Sequence, residues 1–138
     1  MLATIPLTVI PLILFNAIGF TVGGPDLWTG TLLAIPLVSG VAWNVSLGDL
    51  MILLGLVMLF FETLRSAQPG LNTTITNHIV STILLIVYVV EFIVVGIAAN
   101  STFLILTCLA LFDVVAGFTI SIRTATRDVS FSTGNEPR

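Results

Sequence analysis

Glu91 and Asp113 each sit inside a long apolar run, whereas the four cationic side chains of this 138-residue chain, Arg65, Arg123, Arg127 and Arg138, fall at the ends of such runs or beyond them. An ionised acid near the middle of a membrane helix costs about 2.5–3.5 kcal/mol on insertion scales, so each carboxyl needs a proton, a hydrogen bond or a cation. Three roles follow: an interhelical hydrogen bond, a proton or cation site, or a contact with a positive side chain of another protein.

If the two runs form a hairpin turning at Asn100, Glu91 lies nine residues before the turn and Asp113 thirteen after it. That is an axial offset of about 6 Å, which long side chains nearly bridge, and two acids sharing one proton would behave as a coupled pair. The alternative is that Glu91 faces a partner while Asp113 faces the bundle. Both runs are apolar all round, so amphipathic contrast does not choose between these.

His78 is the only histidine and Cys108 the only cysteine. His78 has the chemistry of an axial ligand to a haem or pigment, but its other ligand would have to come from a partner. The weightier alternative is an ordinary interfacial histidine. No metal site of usual composition can be assembled from one chain with these residues. No cofactor is implied. The absence of lysine excludes a Schiff base. No G-x-S-x-G, phosphate loop or H-E-x-x-H occurs, so the chain is not read as an enzyme. A net charge of −3 without a basic cluster argues against nucleic acid.

The elements that position these residues belong to a membrane. The chain is 57 % hydrophobic and 8 % charged, against about 25 % charged in soluble domains. A span needs about 20 mostly apolar residues. Residues 47–65, 77–99 and 102–122 satisfy this, and 2–22, with Pro6 and Pro11 near its start, makes a fourth. No basic leader with a small-residue cleavage site precedes that fourth segment, so 2–22 is expected to be retained. Ser46-Leu47-Gly48-Asp49 has the form of a capping box, predicting a helix start at Leu47.

Residues 27–45 are uncharged but broken by Gly30, Pro36 and Gly40, and are flanked by Trp28 and Trp43, which have the character of interfacial anchors. A re-entrant or interfacial segment is expected there; a true span would make five instead of four. Gly19 and Gly23, and Gly117 and Ser121, form small-x-x-x-small spacings that permit close helix packing. Asp49 and Glu62 read as structural, Asp49 at a helix start and Glu62 one turn before Arg65.

The fold class is therefore an all-α integral membrane bundle, with residues 1–123 as one transmembrane domain and 124–138 as a short polar tail. Arg65, Arg123 and Arg127 place the C-terminus in the cytoplasm of a bacterial-type inner membrane. The functional expectation is an accessory or structural subunit of a larger membrane complex, with lipid and other membrane subunits as partners. The alternative is a small homo-oligomeric transporter or channel that uses Glu91, Asp113 or both to couple protons or cations.

Overall fold

A computed structural model of the chain describes residues 5–24, 26–66 and 74–132, with side chains over 78–120 and at 122 in the last segment. Among these residues four α-helices and one β-hairpin follow in the order α1 (Val9–Thr21), β1 (Thr31–Pro36), β2 (Ala42–Ser46), α2 (Leu47–Ser66), α3 (Thr74–Val94) and α4 (Ser101–Ser132). The architecture is mostly helical. α2 and the Ser101–Ile120 part of α4 are long and apolar enough to cross a membrane; Val9–Thr21 and His78–Val94 are shorter apolar helices.

The α1 helix starts at Val9, seven residues later than the sequence pattern suggests, because the prolines set its beginning. Pro6 O accepts from Val9 N–H at 3.1 Å and Leu7 O from Ile10 N–H at 3.0 Å, so the chain enters the helix through a tight turn. Pro11 lies in the first turn, where its missing N–H has no intrahelical acceptor to lose. At thirteen residues α1 is about 20 Å long. It ends where Gly23 takes φ +64°, a conformation open to glycine. Gly23 is thus a helix terminator and not the packing residue its spacing with Gly19 implies.

The largest departure from expectation is at 27–45, which forms a β-hairpin over most of its length, so the all-α reading does not hold there. β1 and β2 pair antiparallel, with Leu33 opposite Val45 and Ile35 opposite Trp43. Short apolar runs do not separate helix from strand by periodicity. The same Gly30, Pro36 and Gly40 that break a helix delimit the strands here, and Gly40, at φ +81°, makes the turn. Leu37 N–H donates to Val41 O and Gly40 N–H to Leu37 O, both at 3.0 Å.

β2 runs directly into α2, which begins where the capping box predicts. Ser46 N–H and Oγ–H donate to Asp49 Oδ2 at 2.8 and 2.7 Å, and Asp49 N–H donates back to Ser46 Oγ at 3.1 Å. At the other end of the chain, α4 continues to Ser132 instead of stopping near 122. Nothing between Ile122 and Ser132 is proline or glycine, so no residue there breaks the helix.

Contacts fix the helix directions. Gly48 faces Thr102 and Gly55 faces Leu106 and Leu109, so α2 and α4 run parallel. Gly117 faces His78 while Tyr88 packs on Phe103, so α3 is antiparallel to α4. Thr8 meets Asp113 and Phe15 meets Phe103, so α1 is antiparallel as well. The hairpin, the end of α1 and the start of α2 gather at one end. The starts of α1 and α3 and the end of α2 gather toward the other.

The core is aromatic at the hairpin end. Phe15 is fully buried and stacks on Trp28 with centroids 4.0 Å apart and planes 9° from parallel, and Phe103 lies against both Phe15 and Tyr88 at 4.7 and 5.4 Å. Trp28 is only 6 % exposed, which makes it a core residue and corrects its reading as an interfacial anchor. Trp43 is exposed on the hairpin.

Gly48 carries the closest backbone approach. A Cβ there would lie 2.5 Å from both Trp28 O and Thr102 Oγ1, whereas one on Gly96 would meet nothing within 4 Å. Gly48→Ala is expected to lower stability by about 1–3 kcal/mol through overpacking, and Gly96→Ala to change it by well under half of that. Thermal unfolding of the two variants in detergent checks the contrast.

Candidate functional site

Burial of the polar side chains defines two neighbouring sites along α1. The first is at its start. Leu7 N–H donates to Glu62 Oε2 at 3.0 Å, and Thr8 Oγ1 donates to Asp113 Oδ2 at 3.3 Å. Thr8, Glu62 and Asp113 are all at least nine-tenths buried. The first N–H groups of a helix lack intrahelical acceptors and carry the positive end of its dipole, so two carboxylates from α2 and α4 suit this place.

Further groups complete the cluster. Arg65 Nη2 lies 3.4 Å from Glu62 Oε1 and donates to Ile5 O at 3.3 Å. Ser81 of α3 hydrogen-bonds Asp113, which also feels the charges of Glu62 and Arg65. All four helices meet at this cluster. Its two acids have hydroxyl, amide and guanidinium partners, and Asp113 is hydrogen-bonded to the start of α1 and to α3.

The second site lies deeper toward the hairpin. Tyr88, 1 % exposed, donates its hydroxyl to Thr8 O at 2.9 Å. Glu91 follows one turn later on α3, its carboxyl hydrogen-bonded by the Asn16 amide of α1. Asn16 Nδ2 donates to Leu12 O at 3.1 Å, and Glu91 Oε1 is buried without a hydrogen-bond partner. The two sites touch through Thr8, whose hydroxyl serves Asp113 and whose carbonyl serves Tyr88.

Glu91 and Asp113 do not form the proton-sharing pair that a turn at Asn100 would create. Val95 is extended and a 3-10 turn occupies Gly96–Ala98, so the α3–α4 link begins earlier than assumed. With Gly117 against His78 and Asp113 against Ser81, Glu91 falls level with about residue 104 of α4. The two acids are then separated by about 13 Å along the axis, beyond proton sharing.

The remaining candidates are placed as follows. His78 stacks on the Phe118 ring with centroids 4.9 Å apart and lies against Gly117, where a Cβ would come within 2.8 Å of its ring. Its ring is packed between α3 and α4. Gly19 packs against Ile97 and Trp28. The side chains of Ser121, Arg123 and Arg127 lie outside the described residues. Among the described residues no three His, Cys, Asp or Glu side chains converge on a point that could hold a metal ion.

Sequence reasoning missed Thr8, Ser81, Asn16, the contact of Glu62 with Leu7 N–H and the Gly48–Gly55 seam. Two signals were present. Ser81, Leu84, Tyr88 and Glu91 follow an i, i+3, i+7, i+10 pattern, which places three polar residues on one face of α3. Gly48 and Gly55 are seven residues apart, again one face of a helix. No known protein family, curated protein or solved structure matches the chain.

Replacing Glu62 by Leu removes the acceptor of Leu7 N–H and the carboxylate paired with Arg65 together. A loss of about 1–3 kcal/mol is expected from the unsatisfied groups, while Glu62→Gln, which keeps an acceptor oxygen, retains more than half of the stability difference. Chemical unfolding monitored by helical circular dichroism in detergent distinguishes the two.

Proposed function

We propose that this chain is a polytopic membrane protein, its helices packed as a bundle across a bacterial-type inner membrane, and that it serves as an accessory or structural subunit of a larger membrane complex. The hairpin carries this reading. Residues 27–48 contain no charge, and Leu32, Leu33, Leu37, Val38, Val41 and Trp43 are exposed on it. Apolar side chains project from both faces. Such faces disfavour water, and the two open strand edges disfavour the lipid core, where every backbone group needs a partner. Another protein at the membrane surface meets both demands.

The helices support the membrane part. Ile79, Ile83, Ile86, Val90, Leu111 and Phe112 are among many large apolar residues facing outward, while Glu62, Ser81, Tyr88 and Asp113 face inward. This is the reverse of a soluble bundle and suits lipid. The helix directions bring Arg65 and the α4 stretch containing Arg123 and Arg127 toward one end, and Asp26 and Asp49 to the other. By the positive-inside rule the arginine end, with the C-terminus, is cytoplasmic.

The second reading, a small proton- or cation-coupled transporter, is favoured by one observation, the partnerless buried oxygen of Glu91. Native electrophoresis after gentle extraction, with mass spectrometry of the band, separates the two. The subunit reading expects a particle much larger than a small homo-oligomer, and the paired change Val38→Asp and Val41→Asp on the exposed hairpin to release the chain from it at unchanged thermal stability. A small homo-oligomer indifferent to those changes, together with proton flux lost in Glu91→Gln, would establish the transporter instead.

A further inference from the structure

We propose that Glu91, with Asn16 and Tyr88 beside it, forms a proton-binding site inside the bundle, distinct from the Asp113 cluster at the start of α1. The proposal rests on the membrane reading, since lipid on the outer faces of α3 denies an ionised carboxylate the water that would otherwise solvate it. The geometry is specific to Glu91. Its Oε1 is buried and accepts nothing; the Asn16 amide, which gives one N–H to Leu12 O, hydrogen-bonds the Glu91 carboxyl without serving that oxygen, and the Tyr88 hydroxyl is engaged by Thr8 O.

Among the described residues no cation reaches this position from the elements around it. α1 contains no titratable residue, and neither does the stretch 102–107 of α4 that lies level with Glu91. The Gly96–Ala98 turn is apolar. On α3 the nearest titratable neighbour is Tyr88, one turn away. At the hairpin end of α2 stands Asp49, held by Ser46. Arg65 is engaged with Glu62 at the far end of α1.

A buried acceptor without a donor is an unstable arrangement, and the ligand that fits the space of one oxygen is a proton. The equilibrium is simple: the carboxylate takes one proton from water to give the neutral acid, and returns it on deprotonation. A metal ion would require further oxygen or nitrogen ligands. Glu91 here has one neutral amide and one phenol as neighbours.

The full chain reconstituted in phosphatidylcholine vesicles, checked for resistance to alkaline extraction, gives the test by infrared difference spectroscopy along a pH ramp. A protonated-carboxyl C=O stretch is expected in the wild type, lost in Glu91→Gln and retained in Asp113→Asn. Should Glu91→Gln fail to fold, Glu91→Asp replaces it, with the band expected to move because the shorter side chain sits differently against Asn16. A band that persists in Glu91→Gln, stays unmoved in Glu91→Asp, or is absent from embedded wild-type protein overturns the site. Protein released by alkaline extraction instead overturns the membrane reading beneath it.

Discussion

The start of α1 is the point on which the other helices depend. The turn at Pro6 and Leu7 opens α1 inside the bundle and places Leu7 N–H, the Thr8 hydroxyl and the positive end of a helix dipole away from water. Glu62 from α2 receives Leu7 N–H, and Asp113 from α4 receives the Thr8 hydroxyl. These two bonds pin the registers of α2 and α4 against one point on α1. They are consistent with the parallel course of α2 and α4 that Gly48 and Gly55 show independently.

Electrostatic compensation is divided unequally along this axis. At the cluster, two acids share Arg65, two hydroxyls and a backbone amide, so each polar group returns part of the desolvation cost of the others. Farther along, Tyr88 gives its only donor to Thr8 O and Asn16 divides between Leu12 O and the Glu91 carboxyl, so Glu91 Oε1 has no partner. Natural bundles keep few buried polar groups in this condition. The contrast is between an acid that organises structure and an acid with spare capacity.

Packing at the hairpin end works by a different rule. There the stabilisation comes from aromatic contact, with Phe15 stacked on Trp28 and Phe103 set against Phe15 and Tyr88. Offset and tilted aromatic pairs contribute about 0.5–1.5 kcal/mol each beyond their buried area. Gly48 lets the Trp28 backbone reach the first turn of α2, where Gly48 N–H donates to Trp28 O at 3.0 Å. The hairpin is therefore tied to the bundle at its base, through Trp28, Val45 and Gly48, while its tip at Val38 projects free of the chain.

The sequence by itself determined the helical character, the start of α2 at Leu47 and the contact of Glu62 with Arg65, because capping and helical neighbours depend on residues three or four positions apart. It also identified Glu91 and Asp113 as acids in need of compensation, since an acid in an apolar run is conspicuous without any coordinates. Only the tertiary structure decided what compensates each one. Asp113 is served by Thr8, a hundred and five residues away, through a bond no local pattern encodes. The hairpin escaped because an apolar run interrupted by Gly and Pro is compatible with several backbones, and the one adopted is fixed by the pairing of β1 with β2. The offset of Glu91 from Asp113 turned on the conformation of Val95 to Ala99, where an extended residue and a 3-10 turn shift the register of two whole helices.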